Sequence, residues 1–543
     1  MMNERERYQS WLNSSFVTAA EKAELREMTA EEIREAFYKT AEFGTAGMRN
    51  IMGLGTNRLN PYMIRLATKG LAMTLQEGDA VAVAYDTRNN SPEFAAEAAK
   101  VLAQNGIRAY LFDDYSPVPL LSFAVRHLGC QAGIAITASH NTREYNGFKV
   151  YDETGCQIRE ALAETIARNM EHIEDILNIP TAEDTDPRIV RIGAELKAEF
   201  LKACRNCSVV ADQAAKEELR VVYTPIHGSG YQYVKELLAI DGFSQVSDVA
   251  EQCIFDGDFP TVKKPNPEDH TALDLAVKQA FAEQADIVIG TDPDCDRIGV
   301  AVIDGDQVTY LSGNQTGALL VEFLARQRKG AGKTMITSIV TNEIGTVIAK
   351  HYGLRTVKTL TGFKYIGAVM NGLKTEDFLM GYEESYGYLV GMHARDKDAV
   401  SAAMLICEMA AYYKARALKL TDVLETIYRQ HGYWMDAQDS YVFEGAAGAQ
   451  KMRELMDTLK ENGRTALAAV ESVEELLDYS CGIDGLPPAD ILHFRLGDGS
   501  WIIVRPSGTE PKVKVYYCLK AELQQDAEKR REALKCVIDS LFA

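Results

Sequence analysis

One hydrophobic pattern recurs three times along the chain: an apolar strand-like run, a polar loop, an amphipathic helix-like stretch, a glycine and a second apolar run. The copies are AVAVAYDTRNNSPEFAAEAAKVLAQNGIRAYLF from Ala80, LRVVYTPIHGSGYQYVKELLAIDGFSQV from Leu219 and TMITSIVTNEIGTVIAKHYGLRTVKTL from Thr334. Strands alternating with helices of this length predict βαβ units in parallel or mixed sheets. Three copies predict three related α/β domains in tandem. Ahead of them, Trp11, Leu12, Leu25, Met28, Ile33 and Phe37 fall at helical spacing and predict short helices. The last hundred residues differ. SYVFEG at 440–445 reads as a strand leading into the helix-like GAQKMRELMDTLKENG, and WIIVRPSGTEPKVKVYYCL as two strands about a Pro/Gly turn. A charged helix from about Glu522 to Leu541 closes the chain. This predicts a smaller α+β domain whose boundary lies near His431 to Asp439. The expected divisions are 1–205, 206–312, 313–432 and 433–543, packed around a common cleft because no Ser/Gly-rich linker separates them.

Composition agrees with several globular domains: 543 residues, 46% hydrophobic and 25% charged. No run approaches membrane-span length, and the charged start MMNERERYQSWLN has no apolar leader region, so a cytoplasmic protein without a membrane partner is expected. A formal net charge of −20 argues against nucleic acid as a partner. An anionic substrate therefore needs a local basic island, which makes individual residues such as Arg49 and Arg88 informative. Of the ten cysteines, the close pair is Cys204 and Cys207. A zinc site would want a second matching pair and a redox pair a thioredoxin-like βαβ context, so these read as reduced thiols and core fillers.

Four stretches carry candidate chemistry. In CQAGIAITASHNTREYNGFKVYD, Ser139 follows an apolar strand, where open α/β sheets place their ligands, with His140 beside it and Lys149 beyond a turn. It is no hydrolase elbow, because Gly-x-Ser-x-Gly is absent. In ADIVIGTDPDCDRIGVAV, Asp292, Asp294 and Asp296 can converge on a hard divalent cation, Mg²⁺ by default, while Arg297 offsets their charge and can reach a phosphate. An EF-hand would want Gly at 297 and Glu at 303, so that reading fails. In IIVRPSGTEPKVKV, the guanidinium of Arg505, the hydroxyls of Ser507 and Thr509, and the turn at Gly508 offer what a phosphate dianion needs. In LMGYEESYGYLVG and HARDKDA, Glu383 and Ser385 suit paired sugar hydroxyls, with Lys397 and Asp398 following. His227 in TPIHGSG reads as a loop-structuring imidazole.

TASHN, GTDPDCDR, EES and RPSGTEP in this order resemble the α-D-phosphohexomutase superfamily over nearly the whole chain. FGTAGMRNIMGLGTNRLN and the length are most similar to its bacterial phosphoglucomutases of the phosphoglucomutase-2/phosphopentomutase branch. The resemblance implies four domains around a cleft and a phosphoserine at Ser139, with Mg²⁺ held by Asp292, Asp294, Asp296 and an oxygen on Ser139. It implies that Arg49 and Arg297 face the transferring phosphate, that Glu383 and Ser385 read the sugar O3 and O4, and that Arg505, Ser507, Gly508 and Thr509 grip the other phosphate. Thr361, Gly362 and Lys397 join the substrate-binding set. Lys149 is the best match for the general acid/base, with His140 second, and a lysine in that role needs a depressed pKa.

The implied reaction interconverts glucose 1-phosphate and glucose 6-phosphate through glucose 1,6-bisphosphate. The partners are then small sugar phosphates, and the enzyme a monomer or homodimer. Phosphomannomutase and phosphopentomutase activity are the near alternatives. A phosphatase of the haloacid-dehalogenase type with Asp292 as nucleophile, or a non-catalytic sugar-phosphate sensor, are remote ones. The chain departs from the family at Thr142, where proline is frequent; at Tyr382, an aromatic where glycine is common and which can reshape the sugar subsite; and at Cys295, a potential oxidation site.

Overall fold

The computed structural model describes residues 3–443, 448–506 and 512–542. The chain forms two compact units, Met1–Gly313 with Gly362–Ala417, and Asn314–Thr361 with Leu418–Ala543.

The first unit opens with helices Glu4–Asn13, Ala19–Glu27 and Ala30–Phe37. Each starts from a capping box, at Asn3, Thr18 and Thr29, so short polar sequences still begin helices at defined points. They bury Trp11, Leu25 and Phe37, with Trp11 edge-on to Phe37 and Tyr62. The expected short helices are present.

Among the described residues, the first repeat is a six-stranded sheet ordered Met48–Ile51, Tyr145–Asp152, Ala132–Ile136, Ala80–Tyr85, Arg108–Phe112, Ile189–Ile192. The last four strands run parallel, and Tyr145–Asp152 is antiparallel to both its neighbours. The buried run AGIAI ends at Ile136, so the next polar residues, Thr137 and Ser139, emerge at the strand's carboxyl end. The strand after the turn returns antiparallel and sets Lys149 opposite Ala135.

The second repeat is a five-stranded sheet in which Val221–Thr224 pairs parallel with Val246–Asp248 and Ile287–Thr291. Ile298–Asp304 then turns back antiparallel along Ile287–Thr291. The turn at that reversal is the run Asp292 to Arg297. The hairpin Phe378–Glu383 with Gly387–Leu389 and the helix Ala399–Lys414 complete this unit. That helix is apolar nearly all round and correspondingly buried.

In the second unit, the parallel strands Thr334–Ser338 and Arg355–Thr359 flank helix Ile344–His351, which is the βαβ core of the third repeat. A five-stranded antiparallel sheet follows, ordered Tyr433–Val442, Lys512–Ala521, Trp501–Pro506, Leu492–Leu496, Val473–Asp478. Helices Gly448–Leu467 and Gln524–Phe542 cover it, with Leu459, Phe494, Ile502, Val515, Leu534 and Ile538 in the core. The first strand of this sheet starts at Tyr433, ahead of the expected Ser440, and ends at Val442. Its half-exposed, polar positions Asp436, Gln438 and Asp439 hid it from a reading based on apolar runs. Residues 444–445 of the expected strand lie outside the described residues.

Candidate active site

Ser139 sits in the left-handed region, φ 52°, which an ordinary side chain adopts at a cost of order 1–3 kcal/mol unless its surroundings hold it there. Two groups do so. The Ser139 amide donates to Thr137 Oγ1 at 2.8 Å, and the Arg88 guanidinium donates to the carbonyls of Ser139, Asn141, Thr142 and Tyr145 at 2.6, 2.5, 2.9 and 3.0 Å. Arg88 is buried against Asp86, its Nε 3.4 Å from Oδ2, and over the Phe259 ring. The expected basic residue of DTRNN is therefore a scaffold for the serine loop.

The Ser139 hydroxyl points at chemistry. Its Oγ lies 3.1 Å from Asp292 Oδ2 and 3.1 Å from His140 Nδ1. Burial, together with the charges of Arg297, Arg49, Lys264 and Lys149, holds the His140 imidazole well below its ordinary pKa and so disfavours its protonated form. Arg49, exposed on strand Met48–Ile51, donates to Asn141 Oδ1 at 3.0 Å and thus stands beside the same loop.

Asp292, Asp294 and Asp296 are buried and offer ligand oxygens within 4.8 Å of one another. Asp292 Oδ1 accepts from the amides of Asp296 and Arg297 at 3.1 and 3.0 Å. Lys149 Nζ reaches Asp294 Oδ2 at 2.8 Å, and Lys397 Nζ reaches Asp296 Oδ2 at 3.0 Å. Thr137 Oγ1 also donates to Asp294 Oδ2, at 3.2 Å, and so ties the aspartate loop to the serine loop. Burial and the charges of Asp294 and Asp296 push the Asp292 carboxyl well above its usual range. Burial opposes ionisation of Asp294 too, but Lys149 holds its carboxyl below that range.

A hard divalent cation fits this cluster. Asp294 Oδ1 and Asp296 Oδ1 are buried with no hydrogen-bond partner among the described residues, Arg297 Nε standing 3.8 Å from the latter. Oxygen-only donors in this number suit Mg²⁺. Cys295, between the aspartates, is fully buried at φ 52° and its thiol is pushed well up by burial, so the structure removes it as an oxidation site.

The Arg297 guanidinium is paired with Glu268, a partner the sequence reading missed. Glu383, at the end of its strand, accepts from the Gly362 amide at 2.7 Å, and burial and Glu384 push its carboxyl up to about 7. Ser385 lies in the adjoining turn, whose Tyr386 carbonyl accepts from the Ile298 amide at 3.0 Å. Lys397 packs its methylenes where a Cβ at Gly387 would stand, so the hairpin and Lys397 require each other. Tyr382 is buried and stacked on Tyr388, supporting the hairpin from within.

His227 has both ring nitrogens engaged, Nδ1 with the Ile254 carbonyl at 2.8 Å and Nε2 with Thr261 Oγ1 at 2.9 Å, as its loop-structuring reading expects. Thr361, with a buried Oγ1 lacking a partner among the described residues, and Arg505, on strand Trp501–Pro506, belong to the second unit. Ser507, Gly508 and Thr509 lie outside the described residues. Besides Glu268, sequence reasoning missed Thr137 and Asp86. Thr137 is two positions before Ser139 in the same motif, which was the available signal.

Residues 40–176, 198–305 and 312–430 match the models of the alpha/beta/alpha domains I, II and III of phosphoglucomutase/phosphomannomutase, and residues 449–533 match its C-terminal domain. The chain is 36% identical to a phosphoglucomutase of Staphylococcus epidermidis over 513 residues, 91% of this chain and 93% of that protein. It is 37% identical to a phosphoglucomutase of Staphylococcus aureus over 522 residues, 93% of this chain and 94% of that one. The fold resembles that of the Paramecium phosphoglucomutase pp63/parafusin, at TM-score 0.72 and 17% identity over 93% of this chain and 96% of that one. A Burkholderia thailandensis protein named for the phosphoglucomutase/phosphomannomutase family gives TM-score 0.69 at 17% identity, over 92% and 97%. Four matched domains in order, and relatives of this identity along nearly their full length, establish that the chain belongs to the phosphoglucomutase/phosphomannomutase family.

Proposed function

We propose that the protein is a phosphoglucomutase that interconverts glucose 1-phosphate and glucose 6-phosphate, with Ser139 carrying the phosphoryl group between turnovers. The observation that carries this reading is the Ser139 hydroxyl, held out of the regular backbone by Arg88 and Thr137 and directed at the carboxylate cluster 3.1 Å away. A serine so placed gives up and regains a phosphoryl group without other covalent work by the protein, and catalysis is then positioning and charge stabilisation.

Asp292, Asp294 and Asp296 would hold Mg²⁺, which when bound offsets the charge of a phosphoryl group in transfer. The chain's own residues supply the rest. Lys149, paired with Asp294 at 2.8 Å, serves as the general acid/base, with His140, 3.1 Å from Ser139 Oγ, second to it. Arg49 and Arg297 face the transferring phosphate. Glu383 and Ser385, with Thr361, Gly362 and Lys397, read the sugar hydroxyls, and Arg505, Ser507, Gly508 and Thr509 hold the phosphate that is not reacting. Glucose 1,6-bisphosphate is the intermediate, re-bound in the reversed orientation. The working domains are 1–205, 206–312, 313–432 and 433–543. Among the described residues no helix is long and apolar enough to cross a membrane. We assign the protein to the cytoplasm as a monomer or homodimer acting on soluble sugar phosphates.

The test is ³¹P NMR of the enzyme with Mg²⁺, a trace of glucose 1,6-bisphosphate and glucose 1-phosphate, beside Ser139→Ala. Conversion to the 6-phosphate without free phosphate, lost in the variant, is the expected result. Release of inorganic phosphate, or turnover surviving Ser139→Ala, points instead to Asp292 as nucleophile. Mannose 1-phosphate and ribose 1-phosphate controls set the sugar preference, which we expect to favour glucose because of the EES loop.

A further inference from the structure

Three side chains from distant points of the first unit meet in the interior, Asp398 following directly on Lys397, whose Nζ reaches Asp296. Cys204 lies in the last turn of helix Ala194–Arg205, His393 in the loop after Val390, and Asp398 at the N-cap of helix Ala399–Lys414. Cys204 and Asp398 are fully buried and the His393 side chain is 5% exposed. Cys204 Sγ is 3.7 Å from His393 Nε2 and 3.6 Å from Asp398 Oδ2, and Nε2 is 2.7 Å from Oδ2. We propose that Cys204, His393 and Asp398 form a second metal site, separate from the aspartate loop, for a borderline-soft divalent cation such as Zn²⁺.

The donor set decides the metal. A thiolate, an imidazole and a single carboxylate favour Zn²⁺ over Mg²⁺, whereas the aspartate loop offers oxygen alone. Bonds of about 2.3 Å to sulfur and about 2.0–2.1 Å to nitrogen and oxygen give tetrahedral edges of roughly 3.3–3.6 Å. Both sulfur edges match, and the nitrogen–oxygen edge, now closed by a hydrogen bond at 2.7 Å, needs to open by about 0.6–0.7 Å.

The ligands are also aimed by their surroundings. Asp398 Oδ1 caps the helix at the amides of Val400 and Ser401, 2.9 and 3.3 Å away, which leaves Oδ2 for the site. His393 Nδ1 is 3.9 Å from Cys207 Sγ, whose own S–H donates to the Val390 carbonyl at 3.0 Å. Such a partner on the far ring nitrogen fixes the orientation of a ligating imidazole. Gly391, at φ 100°, makes this packing possible, because a Cβ there would stand 2.5 Å from Cys207 Sγ.

Charge balance supports exchange rather than addition. Asp398 Oδ2 accepts two hydrogen bonds, one from His393 Nε2–H and one from Cys204 S–H. A divalent cation bound to imidazole, thiolate and carboxylate sums to zero. The cation takes the place of the hydrogen bonds that now link the three side chains, and the thiol proton leaves to solvent. This inference does not depend on the mutase reading.

The test is titration of chelator-treated full-length protein with Co²⁺ and then Zn²⁺, with excess Mg²⁺ present to occupy the aspartate loop. One equivalent of Co²⁺ with a thiolate-to-cobalt charge-transfer band, displaced by Zn²⁺, is expected, as is proton release on Zn²⁺ binding in weakly buffered solution. Both signals disappear in Cys204→Ser and persist in Asp292→Asn, while Cys207→Ser keeps the band at an affinity lowered about 10–100-fold. Should Cys204→Ser fail to fold by circular dichroism, His393→Gln replaces it. Absence of the band in the unaltered protein, its survival in Cys204→Ser or His393→Gln, or its loss in Asp292→Asn would overturn the proposal.

Discussion

The serine loop and the aspartate loop are both buried turns that leave the ends of strands, yet they are completed in different ways. In the first, four main-chain carbonyls converge on Arg88, and Arg88 is itself matched by Asp86. In the second, Lys149 and Lys397 answer three carboxylates, and two carboxylate oxygens keep no hydrogen-bond partner among the described residues. The first loop's unbonded carboxylate oxygen, Asp86 Oδ2, faces the Arg88 guanidinium at 3.4 Å, whereas the second leaves Asp294 Oδ1 open to a ligand. A rigid nucleophile beside an electrostatically unfinished cation site is the arrangement phosphoryl transfer requires.

The largest expected effect separates chemistry from structure. Ser139→Ala should lower kcat on the order of 10⁴-fold or more while leaving the melting temperature within about 2 °C, as steady-state kinetics and calorimetry can show. Next, Arg88→Met strands a buried carboxylate at Asp86 and frees the serine loop. We expect about 3–5 kcal/mol lost in urea denaturation and about 10²-fold in kcat from the displaced hydroxyl. Arg88→Lys should recover only part of either, because an ammonium cannot reach four carbonyls in one plane. An unchanged denaturation midpoint in Arg88→Met would erase the distinction between the loops.

Smaller again, saturating Mg²⁺ should stabilise the unaltered protein by about 2.7 kcal/mol at 100 times its Kd. It should do nothing for Asp292→Asn; equal gains in both proteins would place the cation elsewhere. Per pH unit, the smallest effect lies outside both loops. In the second unit burial, with Arg495 and Lys358, lowers the His493 imidazole to about 3 from an ordinary 6.5. The folded state thus binds fewer protons than the unfolded one between those values, and stability falls as pH drops below about 6.5, by up to about 1.4 kcal/mol per pH unit. His493→Phe, which keeps a ring beside Tyr479 and Trp501, should flatten that acid limb in pH-dependent melting and leave Mg²⁺ binding alone.

What could be read from the sequence followed from locality. AGIAI and IVIGT are apolar runs that end at polar residues, so the strands and the positions of Ser139 and Asp292 at their carboxyl ends were legible together. The charged C-terminal helix, Gln524–Phe542, was visible for the same reason. Arg88 stood out as a basic residue, but its role did not, because its partners are main-chain oxygens more than fifty residues away that no side-chain pattern reports. Thr137 and Glu268 act through contacts that only the fold creates, to Asp294 and Arg297. The Cys204–Cys207 pair was judged by the lack of a second sequence pair, whereas its neighbours His393 and Asp398 arrive from nearly two hundred residues on.

The grip of Arg88 on main-chain oxygens has a consequence for mutational tolerance. A loop held by its carbonyls does not record which side chains it carries, so Thr142, Arg143 and Glu144 are free to drift while the hydroxyl of Ser139 stays where it is. Proline at 142 would keep the carbonyl that the guanidinium reads, and threonine keeps it equally well. A saturation library should therefore be nearly flat across 142–144 and steep at a single residue more than fifty positions upstream, where variation is paid for by the whole loop.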